Sequence, residues 1–156
     1  MADSALPILV FGKALAKTQG LSRLRLRYVL RNHLHGTELP AIECELGPAE
    51  AMLLWTAELL HRTQLTVDQQ NAVLTEVNGE LYSLGCQCLN AMKHGERATS
   101  FQLVFTDGRY FTYTGRTNFI DLTTGDRVSP DSRPLESVAY DLVELFGRRY
   151  LEATVD

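Results

Sequence analysis

The sequence predicts an α+β fold: antiparallel sheet or sheets packed on a long central helix, an αα-hairpin and a C-terminal helix. Three observations carry this. The chain reads in segregated blocks, strands, then two helices, then strands, then one helix, which favours antiparallel sheet beside helices over a βαβ alternation. The stretch from Thr66 to His94 has a helical start, a helical stripe and a helical stop. Asp107–Gly108, flanked by aromatic and β-branched residues, is the preferred two-residue hairpin turn.

At the N-terminus, Ile8–Phe11 is a short apolar run that predicts a buried strand reaching towards Leu15, and Lys17–Gly20 a turn. Leu24, Leu26, Tyr28 and Leu30 then alternate with Arg23, Arg25, Arg27 and Arg31. A period of two predicts a strand with one apolar and one basic face. Asn32–Pro40 reads as a loop. Ile42, Cys44 and Leu46, alternating with Glu43 and Glu45, read as the next strand. A simple hairpin about Gly36 would set Arg27 opposite Glu45, with Glu43 between Arg27 and Arg31.

Gly47–Pro48 opens a helix, with proline at its first position and Glu50 in its first turn. His61 and Arg62 close it, and a short link leads to Thr66, so the two helices form an αα-hairpin. Thr66 and Gln69 make a capping box. Asp68 suits the positive end of the helix dipole. Val67, Leu74, Val77, Leu81, Leu84, Cys88 and Ala91 form the stripe, Lys93 and His94 fill the last turn, and Gly95 stops it. Gly79 and Gly85 are its weak points, and a bend is expected near Gly85.

Phe101–Thr106 and Arg109–Thr114 are the hairpin strands. Phe119–Leu122 is a further strand, and a turn over Thr123–Asp126 leads to an extension through Val128. Pro134 is expected to start the final helix, on the stripe Leu135, Val138, Leu142, Leu145 and Phe146, ending near Gly147 or Tyr150.

With 156 residues, the chain is most economically one domain over residues 1–156. The net charge of −4 argues against a dedicated nucleic-acid binder. Charge is uneven: residues 1–36 hold six Lys/Arg against one acid, and residues 37–90 one against eight. No run is long enough to span a bilayer, so no membrane partner is expected. No signal peptide is legible, and three cysteines, an odd number, fit reduced thiols in a cytoplasm.

The Arg stripe is the most specific candidate for binding. Alternate residues on a strand lie ~6.6–6.8 Å apart, comparable to adjacent phosphates, so Arg23, Arg25, Arg27 and Arg31 could track a nucleic-acid backbone. Against that, Glu43 and Glu45 neutralise the stripe across the hairpin. His33 and His35 have no carboxylate or thiol at a telling distance, so no metal site is expected. Cys86 and Cys88 on a helix point about 200° apart and read as buried small residues. Gly12–Lys13 lacks the earlier glycine of a phosphate loop. Asp121 and Asp126 are accounted for by turn chemistry. No catalytic residues and no cofactor follow from any motif.

The outer face of the long helix carries few charges, with Asn71, Asn78 and Gln87 among its amides and small residues such as Ala72 and Ser83. Interface cores are depleted in Lys, Glu and Asp. The expectation is a small cytoplasmic, non-catalytic interaction, adaptor or regulatory protein, binding a protein partner or itself as a homodimer. The alternatives are an enzyme with a dispersed site and a nucleic-acid binder using the Arg strand.

Overall fold

The computed structural model describes residues 47–129 and 137–154, together with Arg25, Tyr28, Val29 and Asn32. Among the described residues, α1 (Pro48–His61) and α2 (Val67–Lys93) form the αα-hairpin. Strands β1 (Gln102–Thr106), β2 (Tyr110–Tyr113), β3 (Phe119–Asp121), β4 (Arg127–Val128) and β5 (Ser137–Asp141) follow, then α3 (Leu142–Thr154). The strands make one antiparallel sheet in the order β4-β3-β2-β1-β5. No helix of the described residues is long and apolar enough to cross a membrane.

The helix starts follow from local chemistry. Gly47 N–H donates to Glu50 Oε1 at 2.9 Å ahead of Pro48. At α2, Thr66 N–H donates to Gln69 Oε1 at 3.0 Å and Gln69 N–H to Thr66 Oγ1 at 3.1 Å, the reciprocal capping box. Gly95, at φ +67°, takes the left-handed conformation after the helix end. The β1–β2 turn holds Asp107 at φ +56° and Gly108 at φ +65°. Positive φ at both positions is the type I′ geometry that matches strand twist.

α1 differs from an amphipathic surface helix. Every residue from Ala51 to Glu58 is buried, so this helix is enclosed on all sides. Trp55 meets Phe146 of α3 edge to face at 5.3 Å. Leu103, Phe105, Phe111 and Tyr113 of the sheet join the same apolar core. Among this apolar packing sits Glu58, only 1% exposed. Its carboxylate is paired with the Arg149 guanidinium of α3 and lies 3.7 Å from Arg62 Nη2.

α2 runs unbroken through Gly85, so the expected bend is absent. Glycine is required there for another reason. A Cβ on Gly85 would fall 2.3 Å from the Pro48 carbonyl oxygen and 3.1 Å from Ala49 Cα. The backbone of α2 lies directly against the first turn of α1.

Two further readings of the sequence are corrected. Arg25, Tyr28, Val29 and Asn32 are helical, not a strand, and Asn32 Nδ2 donates to the Tyr28 carbonyl four residues back at 2.8 Å. Tyr28, Val29 and Leu30 are three apolar residues in a row, which a two-residue alternation cannot place on one face. Val29 is wholly buried. The second correction is β5. Ser137–Asp141 is a strand paired with β1, and the final helix begins only at Leu142. Asp141 Oδ1 accepts from Val143 N–H at 3.0 Å, capping α3. The other expected N-terminal strands, His33, His35, Cys44 and Pro134 lie outside the described residues.

Two predictions test this packing. Gly85→Ala should lower stability by about 1–3 kcal/mol, because overpacking against backbone outweighs the gain in helix propensity. Gly79→Ala, where an added Cβ meets nothing within 4 Å, should raise it by roughly 0.5–1 kcal/mol. Urea unfolding measures both, and changes of the same sign would contradict the close approach. Arg149→Ala should cost roughly 3–5 kcal/mol by removing the nearer of the two cations beside a buried carboxylate. Glu58→Leu with Arg149→Met should recover most of that, and an unchanged loss in the double variant would show that the cost is not electrostatic.

Candidate functional site

The residues nominated from the sequence fall in different places. Arg25 Nη1 donates to Asn71 Oδ1 at 2.8 Å, and the guanidinium lies over the Tyr28 ring at 5.5 Å from its centroid. Burial pulls the Arg25 guanidinium below its ordinary pKa, opposed by the neighbouring Tyr28. Arg25 and Asn71 therefore hold one helical turn against α2, and each is engaged within the chain. Arg23, Arg27 and Arg31 lie outside the described residues. Asn78 is half-buried and Gln87 is exposed. Nine residues at about 100° each bring Gln87 about 180° round from Asn78, so the two belong to opposite flanks of α2. Asn78 shares the flank of Asn71, seven residues earlier. The uniform outer face expected from the sequence is thus two flanks with different neighbours.

The flank bearing Glu76 meets the sheet. Tyr113 Oη donates to Glu76 Oε2 at 3.2 Å and accepts from Arg116 Nε at 2.7 Å. Arg127 Nη2 reaches Glu76 Oε1 at 3.3 Å. Burial pushes the Tyr113 phenol up, with the Arg116 bond working against it. This network ties β2 and β4 to α2.

Asp121 is buried at 5% exposure and fully used. Arg109 grips it with two bonds, Nε to Oδ1 at 3.0 Å and Nη2 to Oδ2 at 2.7 Å, and Thr123 N–H adds a third at 2.9 Å. The Arg109 bonds hold its carboxyl far below the usual range, against the opposing effect of burial. This carboxylate anchors the turn after β3 and is not paired with Asp126. Cys88 is buried and Cys86 exposed, so the reading of both as buried holds only for Cys88. Burial, then the charge of Asp141, pushes the Cys88 thiol up to about 11. Burial and Glu50 also raise Cys86. Neither is an activated thiolate. The described residues contain no group of three side chains able to hold a metal ion.

Among the described residues, a cleft opens beside β5 and the α1–α2 link. It holds about 760 Å³ and is bounded by the α1–α2 link, Arg62 to Leu65, by the Asp107–Gly108 turn, and by Phe105, Val138 and Tyr140. Its lining mixes apolar side chains, Leu65, Phe105, Val138 and Tyr140, with polar ones, Arg62, Thr63, Gln64 and Asp107. Val138 lies on the helix-facing side of the sheet, opposite Phe105 in the ladder, yet is 51% exposed.

Along the cleft runs the outer edge of β5. Leu142 N–H donates to the Phe101 carbonyl at 2.8 Å. Bonded pairs alternate in an antiparallel ladder, so Tyr140 bonds with Leu103 and Val138 with Phe105. Ser137, Ala139 and Asp141 consequently direct their backbone groups away from β1. The sequence missed this edge because Val138, Leu142 and Leu145 also fit helical spacing. Asp141 followed by Glu144 was the available signal for a later helix start.

Compared with known proteins, the chain matches no family model, no curated protein and no solved structure.

The depressed Asp121 carboxyl sets a pH dependence. A lowered folded-state pKa contributes stability above the unfolded Asp value of about 3.9, and the contribution is lost as pH falls through the folded value. Asp121→Asn should therefore melt below the wild type near pH 7, with the gap narrowing steadily below about pH 4. Thermal unfolding over a pH series checks this. A constant gap would mean that the Arg109 pair contributes nothing through charge.

Proposed function

We propose that the protein is a small, non-catalytic cytoplasmic interaction module that binds an extended protein segment along the outer edge of β5. The carrying observation is the combination of that edge with the adjoining cleft. Strand addition needs two things: main-chain groups free to pair, and pockets for alternate side chains. Ala139 supplies the first from the middle of the edge. The apolar lining of Leu65, Phe105, Val138 and Tyr140 supplies the second.

The contrast with the other end of the sheet supports the same reading. Proteins guard sheet edges with short strands, charges or proline. β4 is two residues long, and its Arg127 is held by Glu76. β5 is five residues long, and Ser137–Tyr140 holds no charge and no proline. Among the described residues no strand covers this edge, and Val138 beside it is exposed, which is the pattern of a binding edge. The segment it fits is extended, with an apolar side chain at alternate positions to enter the cleft. Arg62 and Asp107 in the same lining add a cation and an anion for register.

Selection from a phage-displayed library of random extended peptides, at dilute protein, tests the proposal. Binders should alternate apolar and polar residues. Ala139→Pro should weaken them at least tenfold, because it deletes an outward N–H while the β1 ladder draws on Val138 and Tyr140. Binders indifferent to Ala139→Pro, or none at all, would refute the edge as the docking site.

A further inference from the structure

Resting on the reading of β5 as a binding edge, we infer that its occupant is a second copy of this chain, paired two-fold about Ala139 into a continuous ten-strand sheet. Ser137–Val138–Ala139–Tyr140–Asp141 is complementary to its own reverse. In an antiparallel pairing centred on Ala139, the Ala139 residues of the two copies face each other as a bonded pair and exchange both backbone bonds. Val138 faces the partner subunit's Tyr140, and Tyr140 the partner subunit's Val138. Ser137 faces the partner subunit's Asp141. Of the registers between β5 residues, this one pairs all five.

Each juxtaposition is favourable. A β-branched residue against an aromatic ring is a stabilising cross-strand pair. It lies on the helix-facing side, where Val138 is 51% exposed on an otherwise packed face. The partner's Tyr140 would cover it. On the other side, two methyl groups meet at Ala139 with no steric demand. The Ser137 hydroxyl, which meets Thr106 Oγ1 at 3.2 Å within the chain, stands across from the Asp141 carboxylate and can donate to it when Thr106 donates to Ser137. The backbone groups match as well. Ala139 offers its N–H and carbonyl to its own copy, and the Asp141 N–H meets the Ser137 carbonyl.

A pairing of one five-residue edge lies at the small end of specific interfaces, so the dimer is expected to be weak and concentration-dependent. A heterologous extended segment would have no reason to reproduce the symmetry. That symmetry is what the test reads.

Sedimentation velocity from low to high micromolar concentration should show the wild type passing from monomer to dimer. Ala139→Lys and Ala139→Glu should each remain monomeric, since each sets like charges directly opposite. Ala139 is exposed, so both should fold as the wild type does, which circular dichroism and melting confirm. An equimolar mixture of the two should dimerise, because Lys then faces Glu. Amide exchange at Ala139 should slow as wild-type concentration rises. A wild type that stays monomeric throughout overturns the inference, as does a mixture that stays monomeric while the wild type dimerises. If the wild type is monomeric but peptide binders sensitive to Ala139→Pro are found, only the second copy falls. If both experiments fail, the binding edge falls too.

Discussion

The contact on which the rest of the structure depends is the approach of α2 to the first turn of α1 at Gly85. Without a side chain at that point, the α2 backbone reaches the Pro48 carbonyl, and the two helices close on each other along their length. That closeness lets the middle of α1 be buried, with α2 and α3 packed on it and Leu103, Phe105, Phe111 and Tyr113 of the sheet in the same apolar core. A buried helix has no solvent face for its polar side chains, so each must find a partner inside. Thr56 Oγ1 donates back to the Met52 carbonyl at 2.7 Å, and Glu58 takes Arg149. The Glu58–Arg149 pair sets where α3 lies along α1, since the Trp55–Phe146 contact one turn earlier constrains the same two helices. Buried pairs contribute little net stability but penalise alternatives heavily, and here the alternative is a slipped α3.

The position of α3 in turn fixes β5. Asp141 ends the strand and caps the helix in one residue, accepting from Val143 N–H while Arg97 Nη2 lies 3.8 Å from its other oxygen. Leu142 N–H, the next donor, still belongs to the β1 ladder. Strand and helix thus join without a loop. The edge of β5 cannot lengthen past Asp141, because the chain turns away into α3 at that point.

What could be read in the sequence was what short-range chemistry decides. The Thr66–Gln69 capping box, Pro48 at a helix start, Gly95 after a helix end and the Asp107–Gly108 turn each act through residues within four of one another, and each appears as expected. What could not be read depends on distant partners. Ser137–Tyr140 is a strand because β1 has an open side, and nothing within the segment says so. Gly85 looks like a helix weakness until Pro48 is placed against it. The Arg25–Asn71 bond joins residues nominated separately, one as a phosphate contact and one as an interface amide, and neither nomination foresaw the other. Arg25 also shows the limit of alternation as evidence. Leu24, Leu26, Tyr28 and Leu30 keep a period of two, but Val29 between them is apolar and buried, and the helical state satisfies it.

A sheet with an unguarded edge carries a hazard, because strand addition that does not close on itself builds fibres. Two features of this fold confine it. The second edge, β4, offers two residues, and its Arg127 is drawn across to Glu76, so it does not present a matching strand. The first edge ends at Asp141, and the self-pairing proposed above would use the same surface twice and stop there. A two-fold contact of this kind is closed: among the described residues, the edges that would remain once two copies join are the two short β4 strands. The residue composition of β5 suits this outcome and not a guarded monomer. A lysine at Ala139 would have protected the edge at little cost to the monomer, since the side chain there is exposed and stands opposite Val104 on the face of the sheet away from the helices. Alanine at that position leaves the edge without a charge at the point where, in the proposed pairing, the two-fold axis sets identical residues opposite each other.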